Sequence, residues 1–174
     1  MLLLGCIGET PSGTEINPEP LPLTTPSITP DPISDLPVPE GVLGSRAVAD
    51  DGQDVGTELA VGTTGNRMAF SVTTLQASAG LIRIRFTNEA TTSAIQHNLV
   101  IIAEGQEETI GVGGIQAGEA KHYLPDSPDV LAATPIVRAG ESASFVVDLE
   151  PGTYSFICTF PGHYLSMRGT LTVV

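Results

Sequence analysis

Short hydrophobic segments separated by turn residues make up most of the chain after residue 55. They are rich in β-branched and aromatic residues and are bounded by Gly, Pro, Asn and Asp, a composition typical of β-strands. In LIRIRF, Ile82, Ile84 and Phe86 alternate with Arg83 and Arg85, so one face of this strand can be buried while the other meets water. The other segments of this kind are ELAVGTT, RMAFSVTTL, NLVIIAEG, ASFVVDLE, TYSFICTF and GTLTVV.

This succession of strands predicts an all-β domain over residues 56–174. We expect an antiparallel β-sandwich of about seven to eight strands with Greek-key connections. Residues 107–129 are the exception, because EETIGVGGIQAGEAKHYLPDSPD is rich in glycine and lacks alternation. We interpret this segment as an excursion from the sandwich, with a short helix around residues 118–124.

Residues 7–55 have a different character. The first 55 residues hold nine of the fourteen prolines and nine of the twenty acidic residues. Proline removes a backbone donor and favours extended conformations, and the segment shows no hydrophobic period. The sequence therefore predicts a disordered, Pro-rich acidic linker, a tether that spans about 40 Å as a coil and about 150 Å when fully extended.

The first six residues, MLLLGC, contain a candidate lipid anchor. Leu3-Leu4-Gly5-Cys6 resembles the lipobox of bacterial lipoproteins, in which the signal peptide is removed and the cysteine is acylated. Residues 1–6 would then be the remnant of a lipoprotein signal. Only five residues precede Cys6, fewer than a signal peptide requires, so either the true start lies upstream or Cys6 is an ordinary cysteine. No other stretch is long and apolar enough to cross a membrane.

The net charge of −13, with only seven Lys and Arg residues, argues against nucleic acid as a partner. A phosphate backbone is bound by clustered basic side chains.

The loop CTFPGHYLSM contains three residue types that bind soft or borderline metals. Cys158 ends a predicted strand, and His163 and Met167 follow before the last strand begins. His97 opens another predicted strand and is expected to be directed toward the same end of the sandwich. Two imidazoles, a thiolate and a more distant thioether form the ligand set of a blue copper electron-transfer site. We therefore predict one type 1 copper ion that cycles between Cu(I) and Cu(II).

Each of these residues also has a simpler interpretation. Cys158 can be a buried core thiol or can form a disulfide with Cys6. His97 and His163 can be ordinary core or surface histidines, and Met167 can fill a gap in the core. The spacing of all four together favours the metal site.

The segment CTFPGHYLSMRGTLTVV, with its C-x4-H-x3-M spacing, and HNLV upstream resemble the copper-binding segments of the azurins, within the plastocyanin/azurin family of blue copper proteins. The resemblance covers residues 56–174. Together with the Pro-rich tether, it makes the chain most similar to the auracyanins of filamentous anoxygenic phototrophs. It implies a cupredoxin-like sandwich in which His97, Cys158 and His163 form a trigonal plane and Met167 is the weak axial ligand.

Two further features follow from the resemblance. It implies that Asn98 helps to pin the cysteine loop by hydrogen bonding. Azurins have glycine before the first histidine, where its carbonyl approaches the metal. Gln96 stands there in this chain, which leaves a fifth contact open. The internal disulfide of azurins cannot form, because Cys158 is the only cysteine after residue 55.

The third histidine, His122, lies in a polar part of the excursion, and we expect it to be a surface residue. A catalytic copper needs more histidines than the three in this chain, so the sequence argues against an enzyme.

The surroundings of His163 suggest where electrons leave. Pro161, Gly162, Tyr164 and Leu165 flank it with apolar or small groups, so we expect one imidazole edge near the surface within a hydrophobic docking patch.

The predicted function is that of a monomeric electron carrier in a photosynthetic or respiratory chain, lipid-anchored at the extracytoplasmic (periplasmic) face of the cell membrane. By resemblance, the donor is a membrane quinol-oxidising complex and the acceptor a cytochrome of a reaction centre or oxidase. The alternative is a periplasmic copper storage or delivery protein.

Overall fold

The computed structural model describes residues 44–50 and 52–174, and these form eleven strands and one α-helix. The strands are β1 Ala47–Val48, β2 Thr57–Gly62, β3 Thr74–Ala77, β4 Gly80–Thr87, β5 Gln96–His97, β6 Val100–Ala103, β7 Val130–Ala133, β8 Val137–Arg138, β9 Ser142–Leu149, β10 Gly152–Ile157 and β11 Arg168–Val173. The helix, α1, is Glu107–Ala117, and two 3₁₀ helices cover Glu119–Lys121 and His163–Leu165.

The strands form two main sheets and one small one. The first sheet has the order β1-β9-β4-β2 and the second the order β3-β11-β10-β6-β7, while β5 and β8 form a separate pair. Most neighbours are antiparallel, but β2 pairs with β4 and β3 with β11 in parallel. The consecutive strands β2 and β3 lie in different sheets, each at an edge.

The core lies between the two main sheets. Ile82, Ile84 and Phe86 of β4 are fully buried, as the alternation predicts. Phe70 joins the two layers, because its ring centroid lies 6.0 Å from that of Phe86 in the first sheet and 5.4 Å from that of Phe156 in the second. The predicted all-β, cupredoxin-like sandwich is therefore confirmed, with eight strands of four residues or more among the described residues.

The excursion between β6 and β7 differs from the prediction. Its main element is α1, Glu107–Ala117, whereas the region predicted as helical, residues 118–124, contains only the 3₁₀ helix Glu119–Lys121. Two acidic residues in the first turn suit the positive end of the helix dipole. The helix ends at Gly118, whose φ of 75° is readily adopted by glycine.

One strand prediction needs correction, and one strand was not predicted. Most of RMAFSVTTL, residues 67–75, is bend and irregular structure with an isolated bridge at Phe70, and β3 begins only at Thr74. The segment Val130–Ala133 forms β7, although its sequence VLAA contains no polar alternation. Its four residues are all buried, which removes the alternation on which the prediction depends.

Part of the predicted linker belongs to the sandwich. In β1, Ala47 and Val48 pair with Val147 and Val146 of β9. The predicted anchor residue Cys6 and residues 1–43 of the predicted signal remnant and linker lie outside the described residues. No helix within the described ranges is long and apolar enough to cross a membrane.

Candidate metal centre

The first candidate ligand, His97, is held at the end of the sandwich by the small sheet. In this sheet Gln96 pairs with Arg138 and His97 with Val137. Asn88, which is buried, donates hydrogen bonds through Nδ2 to the carbonyl oxygens of Ile95 and Val137. These contacts fix the backbone on both sides of β5 and place the His97 side chain in a fully buried position.

The loop between β10 and β11 carries the other candidates. It is closed by the Cys158 amide, which donates to the Met167 carbonyl at 3.1 Å. Inside the loop, the amides of His163 and Met167 donate to the carbonyls of Phe160 and His163 at 2.9 and 2.8 Å. Gly162 has a φ of 80°, a left-handed conformation that turns the chain just before His163. The loop is therefore internally hydrogen-bonded and compact.

His97, Cys158 and His163 converge on one point. The two Nδ1 atoms of the histidines lie 3.1 Å apart. The Cys158 Sγ lies 3.8 Å from His97 Nδ1 and 3.6 Å from His163 Nδ1. All three donor atoms fall within 4.8 Å of one another, so the group can hold a metal ion.

Burial sets the protonation of these side chains in the metal-free protein. It lowers the pKa of His97 to about 4, with a smaller effect from neighbouring His163. Burial also lowers the pKa of His163, so both rings are neutral at pH 7 and offer lone pairs. The thiol of Cys158 is fully buried, which raises its pKa to about 12. Cys158 is a free cysteine, and metal binding must displace its proton.

The donor set fits copper. Nε2 of His97 is the one buried side-chain nitrogen or oxygen in the described part of the chain without a hydrogen-bond partner. Only Nδ1 of this ring therefore contacts other polar atoms, and these are Nδ1 of His163 and Sγ of Cys158. Thiolate suits Cu(I) and imidazole suits Cu(II), so the group offers donors for both oxidation states.

Met167 lies at the base of the same loop. Its side chain is fully buried and belongs to the same hydrophobic cluster as Cys158. The thioether is therefore shielded from water.

Asn98 links the two segments that carry the candidate ligands. Its Nδ2 donates to Thr159 Oγ1 at 2.8 Å and to the His122 carbonyl at 3.1 Å. Its Oδ1 accepts a hydrogen bond from the Thr159 amide at 2.8 Å. Because Asn98 follows His97 and Thr159 follows Cys158, these bonds fix the distance between the two segments.

The structure corrects the interpretation of His122 as a surface residue. His122 is half-buried, and its Nδ1 accepts a hydrogen bond from the Ile136 amide at 3.4 Å. Thr159 and Thr134 also have roles near the ligands that the sequence did not predict. The hydroxyl of Thr134 accepts a hydrogen bond from the Leu99 amide at 3.0 Å. No local sequence signal identifies these roles, because they depend on contacts between distant segments.

The residues around His163 differ in exposure. His163 and Tyr164 are half-buried, whereas Pro161 and Gly162 are exposed and Leu165 is 65% exposed. His97, by contrast, is fully buried. Of the two imidazoles, only His163 reaches the surface.

Comparisons with known proteins agree with this geometry. Residues 57–174 match the sequence model of copper binding proteins of the plastocyanin/azurin family. Auracyanin-A of Chloroflexus aurantiacus is 36% identical over 118 residues, which cover 65% of this chain and 72% of that protein. Outer membrane protein H.8 of Neisseria meningitidis serogroup B is 32% identical over 116 residues, which cover 63% of each chain.

Solved structures of auracyanins share the fold. Auracyanin B superposes with a TM-score of 0.67 at 35% identity, covering 75% of this chain and 96% of that one. Auracyanin A, described as a "blue" copper protein from the green thermophilic photosynthetic bacterium Chloroflexus aurantiacus, superposes with a TM-score of 0.63 at 35% identity, covering 68% of this chain and 100% of that one.

The sandwich and the His-Cys-His cluster define a blue copper protein of the cupredoxin class. The chain belongs to the plastocyanin/azurin family of copper binding proteins, which confirms the predicted resemblance. Its cofactor is one type 1 copper ion.

Proposed function

We propose that this protein is a one-electron carrier that cycles a single type 1 copper between Cu(I) and Cu(II). The observation that carries the proposal is the convergence of His97, Cys158 and His163 within 4.8 Å at a largely buried site. The segments that bear them are hydrogen-bonded to each other through Asn98 and Thr159. A site held in one arrangement for both oxidation states lowers the cost of moving an electron.

The chain's own residues have distinct roles in this proposal. His97, Cys158 and His163 would hold the ion, and Met167 would be a further, weaker ligand. Bound copper supplies the one-electron redox chemistry. Burial of Cys158 and Met167 keeps water from the ligand atoms, and the bonds of Asn98 orient the cysteine loop.

Electron exchange is assigned to the patch around His163, formed by Pro161, Gly162, Tyr164 and Leu165. This assignment is supported by the exposed Leu165 and by the half-buried His163 ring. A small, apolar surface suits a partner that must bind briefly and leave.

We further propose that the carrier acts at the extracytoplasmic face of the cell membrane, held by the N-terminal tether and a lipid on Cys6. The name of the relative outer membrane protein H.8 supports a membrane-associated location. The amide of Ser45 donates a hydrogen bond to the carbonyl of Val130, at the start of β7. The other end of β7, Ala133, pairs with Val100 and is the end nearer the metal centre. The first described residues thus contact the sandwich at the end of β7 that is remote from the metal centre.

The proposed donor is a membrane quinol-oxidising complex, and the proposed acceptor is a cytochrome of a reaction centre or oxidase. Support comes from the description of auracyanin A as a blue copper protein of a photosynthetic bacterium.

The test is to load the purified full chain with Cu(II) and record its visible absorption and EPR spectra. An intense visible band, narrow copper hyperfine splitting and reversible one-electron reduction are expected. A colourless complex that readily gives up its copper to a chelator would overturn the proposal and favour storage or delivery.

A further inference from the structure

Helix α1 lies directly against the metal-binding loop, and glycines make the approach possible. A Cβ atom at Gly114 would lie 2.5 Å from the carbonyl oxygen of Tyr123 and 3.0 Å from Cβ of Thr159. At Gly111, a Cβ would overlap the ring of Tyr164. Glycine in a helix interior costs about 1 kcal/mol relative to alanine. Helix stability alone therefore does not account for these residues, whereas close packing does.

Thr159, which Gly114 faces, links the two segments that carry the candidate ligands. Thr159 follows Cys158 directly, and both its amide and its hydroxyl are hydrogen-bonded to Asn98. Asn98 in turn follows His97. A shift of Thr159 would therefore change the position of one ligand-bearing segment relative to the other.

The turn at His122 and Tyr123 completes this arrangement. Both residues have a positive φ, 51° and 57°, a conformation that non-glycine residues rarely adopt. The carbonyl of His122 accepts a hydrogen bond from Asn98, and the carbonyl of Tyr123 is the nearest atom to the Gly114 position. The turn is thus held between α1 and Asn98.

We infer that Gly114 is a positioning residue for the metal centre. Because it has no side chain, α1 packs closely against Thr159 and the Tyr123 carbonyl, and this packing fixes the hydrogen bonds of Asn98. We call these five residues, Gly114, His122, Tyr123, Asn98 and Thr159, the helix clamp. The inference rests on the proposed copper site, because the clamp acts on the segments that carry its ligands. An added methyl at Gly114 must displace α1, the Tyr123 carbonyl or Thr159.

Gly113 provides a matched control in the same helix. A Cβ there would meet the side chain of Pro125 at 3.0 Å and 3.2 Å and no atom of the metal-binding loop. Gly113→Ala therefore makes the same chemical change, with the same gain in helix propensity. It tests whether crowding at any glycine of the helix is enough to disturb the metal-binding loop, or whether contact with Thr159 is required.

The experiment compares the full-length wild type, Gly114→Ala and Gly113→Ala. In the metal-free proteins, amide hydrogen exchange is measured at Thr159 and Met167. We expect Gly114→Ala to accelerate both by about tenfold, because overpacking loosens the local structure. In the copper-loaded proteins, we expect the same variant to shift the EPR hyperfine splitting and the reduction potential. Gly113→Ala should leave these quantities at their wild-type values.

The inference is overturned if Gly114→Ala folds and matches Gly113→Ala in exchange and in spectra. If Gly114→Ala does not fold, Thr159→Gly and Thr159→Ala probe the same contact from the loop side, since both remove the hydroxyl and only Thr159→Gly removes the Cβ that faces Gly114. Faster exchange at Met167 in Thr159→Gly than in Thr159→Ala supports the clamp, and equal exchange overturns it. Absence of a blue copper spectrum in the wild type would instead overturn the proposed function, while the metal-free exchange data would still decide whether the clamp exists.

Discussion

The amide of Cys158 donates a hydrogen bond to the carbonyl of Met167 over 3.1 Å, so the two ends of the metal-binding loop are joined to each other. This bond extends the pairing of β10 and β11, whose last pair is Ile157 and Arg168. Both sulfur-bearing side chains are fully buried. The hairpin therefore places the Cys158 thiol and the Met167 thioether at one hydrogen-bonded base, while His163 lies nearer the surface.

Replacing Met167 with leucine should keep copper and colour but raise the reduction potential. The loss of a weak donor to Cu(II) favours Cu(I), and each tenfold change in the ratio of the two affinities is worth about 59 mV for one electron. Cyclic voltammetry of Met167→Leu measures this shift. Met68→Leu is the control, because Met68 is 56% exposed and should leave the potential unchanged. A lower potential in Met167→Leu would contradict the axial role.

Replacing Cys158 with serine should abolish the visible charge-transfer band. A hydroxyl is a poor substitute for the soft thiolate that gives a blue copper site its character. Absorption spectroscopy after addition of Cu(II) checks this, with Cys6→Ser as the control because Cys6 is the other cysteine of the chain. Colour that survives in Cys158→Ser, or disappears in Cys6→Ser, would show that the site has been assigned to the wrong thiol.

A negative charge at Leu165 should slow electron exchange without changing the site. In Leu165→Glu, two molecules that meet through their His163 patches would bring like charges together, and the self-exchange rate should fall by about tenfold or more. NMR line broadening in mixtures of the oxidised and reduced protein measures this rate. Val174→Glu is the matched control, since Val174 is 63% exposed and follows the end of β11 remote from the loop. Equal effects of both variants on the self-exchange rate would contradict the assignment of electron exchange to the His163 patch.

The sandwich and the convergence of Cys158 and His163 could be predicted because their signals are local. The alternation in β4 depends on burial of one sheet face, and the spacing of Cys158, His163 and Met167 depends on a single hairpin. Residue types and short spacings contain this information directly.

The helix and the surroundings of the ligands could not be predicted in the same way. Gly111 and Gly114 lower the intrinsic helix propensity of α1, and their close approach to Tyr164 and Thr159 depends on the tertiary structure. His122 gains its role from Asn98 and Ile136, which are far away in the sequence. Such contacts are properties of the tertiary structure, and no periodic pattern records them.

The carboxylate of Glu107 should make stability depend on pH. It accepts a hydrogen bond from the Ser155 hydroxyl, which joins the start of α1 to β10, and this bond lowers the pKa of Glu107 from its ordinary value of 4.5. A lowered pKa means that the folded state favours the charged form. The stabilisation is thus complete above about pH 4.5 and is lost as the pH falls through the lowered value.

Glu107→Gln should therefore lower the free energy of unfolding at pH 7 by about 1 kcal/mol. The difference from the wild type should shrink as the pH falls below the ordinary pKa of Glu107. Urea unfolding of the metal-free proteins at several pH values provides the measurement. Glu108→Gln is the control, because Glu108 is an exposed carboxylate of the same helical turn and should show a smaller effect from the helix dipole alone. A deficit in Glu107→Gln that is the same at every pH would mean that the side chain contributes packing, and not charge, to the contact with Ser155.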